Sequence, residues 1–119
     1  MSRNVLDDYF EALRTRDWAR LETCLTDDVH RVGPYRDVVR GKHAYVEYLS
    51  GVIPKLANYD IRVTRIRALD ARAAIAELCE IADVNGVRTV FPEVILFELD
   101  AAGAIAGIDI YLKQAPPPR

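Results

Sequence analysis

The chain has 119 residues, half of them hydrophobic and 29% charged, with a formal net charge of −2. That is enough for one domain with its own core. No basic cluster is dense enough to follow a phosphate backbone, which argues against nucleic-acid binding. No apolar run is long enough to cross a bilayer and no signal-peptide pattern opens the chain, so a cytoplasmic protein with no membrane partner is expected. Cys24 and Cys79 lack metal-ligand spacing and read as thiols rather than a disulfide.

Val5, Leu6, Tyr9, Phe10 and Leu13 recur at helical spacing, which predicts an amphipathic helix over 3–15. Asp17 reads as the N-cap of a short second helix carrying Trp18, Leu21, Cys24 and Leu25, ended by Thr26-Asp27-Asp28. A short strand is expected over Val29–Val32, then a loop at Gly33-Pro34-Tyr35. A third helix starts near Gly41-Lys42, places Tyr45, Tyr48, Leu49, Val52 and Ile53 on one side, and closes at Pro54.

From Tyr59 the period falls to two. Ile61 and Val63 share one parity and Ile66 and Ala68 the other, which predicts a bulge near Thr64-Arg65. Strands follow over Ala73–Val84, Val87–Leu99 and Ile105–Leu112. Asn85-Gly86 forms a hairpin between the first two, and 100–103 turns into the last. The tail 115–119 is Pro-rich and is expected to be extended. Helices first and hairpin-linked strands after make an α+β plan: one domain over 1–114, a curved mixed or antiparallel sheet wrapped around N-terminal helices as a cone-shaped barrel with a pocket.

One residue stands out within this pattern. Glu93 interrupts Val90-Phe91-Pro92-Glu93-Val94-Ile95-Leu96-Phe97, a run apolar enough to be buried on both faces. A carboxylate there needs a partner or a cavity.

The order of elements resembles the nuclear-transport-factor-2-like superfamily, in particular its ketosteroid-isomerase-like and SnoaL-like polyketide-cyclase branch. The residues that carry the likeness are Tyr9-Phe10-Glu11-Ala12-Leu13 with Asp17-Trp18, Leu25-Thr26-Asp27-Asp28-Val29, Gly33-Pro34, and Arg40-Gly41-Lys42. Phe97-Glu98-Leu99-Asp100 with Gly103-Ala104-Ile105 and Tyr111 complete it. The resemblance implies that Tyr9 occupies the place of an oxyanion-donating tyrosine. The family's general-base aspartate, just before a proline, corresponds to Gly33, and its second oxyanion donor to Ile95. Of the aspartates that flank an arginine in the superfamily's epoxide hydrolases, one falls near Glu80 and the other matches Ile110. Neither reaction has its full residue set here.

With the family's strand parity, Leu78, Glu80 and Ala82 face the helices, as do Phe91, Glu93, Ile95 and Phe97. Across the Asn85-Gly86 hairpin Glu80 and Glu93 then lie one diagonal step apart. Two carboxyls in one pocket make an acid and a base; alternatively each pairs with Arg65, Arg67 or Arg88 as a structural ion pair. Tyr9 either donates into the pocket or is a core aromatic. His30 either relays a proton or is a structural strand histidine. Tyr35, Leu78, Ile95 and Phe97 are the expected substrate contacts.

No phosphate loop, nucleophile triad or metal cluster is visible, so no cofactor and no metal are expected. Cys79, Ile81, Val94, Leu96 and Tyr111 form an outward apolar patch that points to a homodimer through the sheet, with Asp109 on the same face placed to meet an arginine. The functions left in competition are a cofactor-free isomerase, cyclase or hydrolase acting on a small hydrophobic carbonyl compound, and a non-catalytic ligand-binding or interaction module.

Overall fold

The computed structural model describes residues 4–114, so the Pro-rich tail lies outside the described residues. Helix α1 (Val5–Thr15) begins where the Asn4 side chain accepts the Leu6 amide at 2.9 Å, and ends at Arg16 in the left-handed region. Its buried stripe is Leu6, Tyr9, Phe10 and Leu13. Tyr9, Phe10 and Phe97 meet edge to face in a triangle with centroids 5.3 to 5.8 Å apart, which fixes α1 against the sheet. Such pairs are worth roughly 0.5–1.5 kcal/mol each beyond their buried area.

Asp17 caps α2 (Trp18–Thr23) through the Arg20 amide at 3.1 Å. The helix is shorter than its apolar pattern predicts. Leu25 already belongs to β1 (Leu25–Val32), so Thr26, Asp27 and Asp28 are strand residues rather than a helix stop. The reason is tertiary: β1 pairs in parallel with the last strand, Leu25 opposite Ile105, with a register break before His30 and Gly107. A second strand that periodicity did not reveal, β2 (Val38–Arg40), pairs antiparallel with β1. At three residues it is too short to show a pattern.

Helix α3 (Lys42–Val52) follows Gly41, whose φ of 95° suits glycine, and buries Tyr45 and Leu49. Pro54 lies in a short 3-10 turn, Ile53–Lys55, that closes it. Then come β3 (Ala57–Asp70), β4 (Ala73–Val84), β5 (Val87–Leu99) and β6 (Ile105–Leu112). The β3–β4 register slips between Val63 and Arg65, at the expected bulge. Asn85 and Gly86 both have positive φ, 51° and 78°, the condition for a tight hairpin whose twist matches its strands.

The architecture is α+β, with helices packed on one face of a curved six-stranded sheet ordered β2-β1-β6-β5-β4-β3. All pairs are antiparallel except β1–β6. The expected barrel is not closed: β2 and β3 remain edges. On the outer face Tyr111 is 58% exposed and Val94 36%. Ile81, expected in that patch, is buried instead. Among the described residues Asp109 accepts from the Tyr111 hydroxyl at 3.0 Å. Cys24 is a buried thiol that donates to the Arg20 carbonyl, and Cys79 is a half-buried thiol. Among the described residues no helix is long and apolar enough to cross a membrane.

Candidate active site

The alternation of β4 and β5 sends Leu78, Ala82, Ile95 and Phe97 into the core, and sends Glu80 and Glu93 to the same side. There they line a cavity of about 240 Å³ between the sheet and the helices. The register sets Glu80 opposite Phe91 and Leu78 opposite Glu93, so the two acids are diagonal neighbours. Their carboxyls are close enough to interact directly with each other.

Burial first, then the charge of Glu80 and the hydrogen bond to it, push the Glu93 carboxyl up to about 9. Burial also raises Glu80, opposed by the bond from Glu93 and by Arg31. At neutral pH the pair therefore retains a proton, which belongs to the two carboxyls together. The ion-pair alternative is not realised. Arg65 pairs with Glu77 at 2.7 Å, Arg88 pairs with Asp83 at 3.3 Å, and Arg67 is exposed on β3.

Tyr9 comes from α1 and Tyr45 from α3, and their buried hydroxyls are 2.6 Å apart. One hydroxyl donates to the other, so a single proton of the two remains for a ligand. Burial, before any other influence, pushes Tyr45 up to about 12 and Tyr9 well above its ordinary value, so both stay neutral donors. Much of the remaining wall is apolar, with Leu13, Leu49, Ile53, Leu56 and Ile110 prominent.

Other expected site residues fall elsewhere. His30 is exposed and lines a depression on the opposite face with Leu96 and Glu98, because its parity in β1 is opposite to that of buried Val29 and Arg31. It is not a cavity residue. Tyr35 is 72% exposed and points out of the 33–37 loop, where its hydroxyl accepts from Gln114. Leu78 and Phe97 are core residues behind the cavity rather than parts of its lining, whereas Ile95 is in the lining.

Sequence reasoning missed Arg31 and Tyr59. Arg31 lines the cavity, is 6% exposed, donates to Asp37 at 2.7 Å, and lies with its guanidinium carbon 5.0 Å from the Tyr48 ring centroid. The signal was its parity with Val29, obscured by the polar residues around it. Among the described residues no group of three His, Cys, Asp or Glu side chains is placed to hold a metal.

Helices packed over a curved sheet around a small cavity that holds an acid pair define a ligand-pocket domain of the nuclear-transport-factor-2-like class. The profile of the SnoaL-like domain matches residues 6–108, and the chain belongs to that family. Among solved structures it is similar to an M. tuberculosis LEH-like epoxide hydrolase, at 21% identity and a TM-score of 0.78, covering 92% of this chain and 80% of that one. It is also similar to an epoxide hydrolase/cyclase-like enzyme of pyran-ring formation in the polyether salinomycin, at 18% identity and a TM-score of 0.79, covering 92% and 88%. A Catenulispora acidiphila protein of ketosteroid isomerase-like fold, solved with trimethylamine, shares 12% identity at a TM-score of 0.80, covering 93% and 86%. At these identities the likeness is one of fold. A search of the curated proteins found no match.

Proposed function

We propose that this protein is a cofactor-free acid/base enzyme of the isomerase, cyclase or hydrolase type, acting on a small hydrophobic carbonyl compound. The observation that carries the reading is the adjacent Glu80–Glu93 pair in the wall of one small cavity, with Glu93 pushed up to about 9. Keeping a proton on a buried acid at neutral pH destabilises the fold, and such an arrangement is found most often where a proton is moved. Glu80 is the base and Glu93 the acid. The proton left over from the Tyr9–Tyr45 pair orients the ligand, and Ile95 packs against its apolar body. Solved neighbours that are described as epoxide hydrolase and cyclase-like enzymes support the class of chemistry.

The cavity of about 240 Å³ lies below the roughly 300 Å³ at which drug-sized pockets begin, so the ligand is compact, with one ring or a short chain. Cytoplasmic location and pairing of two copies through the outer sheet face belong to the same reading.

The test is α-proton exchange. Single-ring ketones and enones are incubated with the protein in D₂O and followed by NMR. Exchange above background that is lost in Glu80→Gln and reduced in Glu93→Gln is the expected result. Tight ligand binding with no exchange in any member of the panel leaves a binding module instead, a reading for which the glycine at position 33 already speaks.

A further inference from the structure

We propose that Arg31, held by Asp37 across the bare backbone of Gly33, is the receptor for the oxyanion that forms on the ligand, with the Tyr59 hydroxyl as its second donor. Within the described residues, the buried side-chain nitrogen and oxygen atoms that lack a hydrogen-bond partner are Thr26 Oγ1, Arg31 Nε, Tyr59 Oη and Glu93 Oε2. The last three belong to residues that line the same cavity. Buried polar groups are ordinarily satisfied. Two donors and one carboxyl oxygen without partners, all in residues around one small hollow, describe the outline of an oxygen-bearing ligand.

Arg31 is held firmly. Its Nη1 donates to Asp37 Oδ2 at 2.7 Å, and its guanidinium lies 5.0 Å from the Tyr48 ring centroid. Nε is the buried nitrogen of this guanidinium that has no hydrogen-bond partner. Asp37 is itself fixed by the loop: its carbonyl accepts the Gly33 amide at 2.7 Å, and its Oδ1 accepts the Tyr35 amide at 3.3 Å.

Gly33 makes this possible. A Cβ there would come within 2.7 Å of Arg31 Nη1 and closer still to both Asp37 carboxylate oxygens. Any side chain at 33 displaces the ion pair. At position 33, where the resemblance implies a base, the bare backbone leaves room for the Asp37 carboxylate and the cation two residues earlier.

The inference rests on the acid/base reading of the cavity and completes it. When Glu80 takes a proton from the carbon next to a carbonyl, the C–H electron pair forms the C=C bond and the carbonyl π pair moves onto oxygen. That oxygen accepts from Arg31 Nε and Tyr59 Oη. Protonation of carbon by the Glu80–Glu93 pair restores the carbonyl. A fixed cation on the wall of a largely apolar cavity stabilises the developing charge more than a neutral tyrosine does.

4-Nitrophenol is the probe: a single ring whose absorbance reports its own ionisation. Bound to the protein, it is expected to ionise at lower pH than in free solution. Arg31→Met abolishes that shift and weakens phenolate binding by about tenfold to a hundredfold, the scale of one charge-assisted hydrogen bond. Asp37→Asn reduces the shift and Asp37→Glu restores it, which a purely structural Asp37 does not predict. His30→Ala, on the opposite face, leaves it unchanged.

A folded Arg31→Met protein that keeps the shift, or a wild-type protein that shows none, overturns the proposal. Should Arg31→Met not fold, the ¹⁵N resonance of wild-type Arg31 Nε decides: it moves on adding 4-nitrophenol, or the assignment is wrong. Failure of the acid/base reading looks different, with the phenolate shift intact and no deuterium exchange in any ketone.

Discussion

Glu80 and Glu93 face each other across β4 and β5, diagonal neighbours on the face the helices cover, with their carboxyls in direct interaction. Their separation in sequence is set by the Asn85-Gly86 hairpin, whose two positive φ angles leave the flanking strands in continuous register from Ala73 opposite Glu98 to Val84 opposite Val87. A one-residue slip would send both carboxyls to the other face.

The pair makes stability depend on pH in a particular sense. The folded Glu93 carboxyl is raised from an ordinary 4.5 to about 9, so between those values the folded protein binds more protons than the unfolded chain. Stability attributable to this group is present below about pH 4.5 and is lost progressively as pH rises to about 9. Glu93→Gln removes this slope. Its amide still donates to Glu80, and at pH 7.5 the variant is expected to be more stable than wild type by ~2 kcal/mol. Urea unfolding of both proteins at pH 5.5, 7 and 8.5 checks it; parallel profiles contradict a protonated Glu93.

Tyr9 and Tyr45 are expected to behave as a unit. Tyr9→Phe leaves the Tyr45 hydroxyl buried without a partner, and Tyr45→Phe does the same to Tyr9. Each single change costs about 1–3 kcal/mol, whereas the double change costs clearly less than the sum because no orphan remains. Additive losses in a double-mutant cycle would mean that the 2.6 Å contact carries no coupling.

Phe97 holds α1 to the sheet from behind the cavity. It is fully buried and makes two of the three edge-to-face contacts. Phe97→Ala is expected to lose about 3–5 kcal/mol. A midpoint in thermal unfolding that barely moves would show that the aromatic triangle does not fix the helix.

Gly33→Ala is expected to cost about 1–3 kcal/mol by forcing the Asp37 carboxylate off Arg31. Asp37→Ala removes the obstacle, so the added cost of Gly33→Ala is smaller in that background. Equal costs in both backgrounds would place the strain elsewhere.

The outer face offers an oligomerisation test. Val94 and Tyr111 are exposed beside a groove of about 480 Å³. If two copies meet there, Tyr111→Glu shifts the sedimentation velocity profile from dimer to monomer. A wild-type protein that sediments as a monomer at micromolar concentration rules this contact out.

The amino-acid pattern by itself determined the elements that rest on local physics. The apolar stripe of α1, the Asp17 cap, the bulge beyond Val63 and the Asn85-Gly86 hairpin all depend on residues close in sequence. The parity that turns Glu80 and Glu93 towards the helices was implied by the family resemblance, and the structure decided it. Tertiary structure alone decided the rest. Leu25 left the second helix because Ile105, eighty positions on, pairs with it. His30 and Arg31 exchanged expected importance because a short strand does not announce which parity faces inward until the sheet forms beneath the helices. The Arg31–Asp37 ion pair fills the space left at Gly33. An absent side chain leaves no trace in composition or periodicity, and its meaning appears only when the atoms that occupy its place are known.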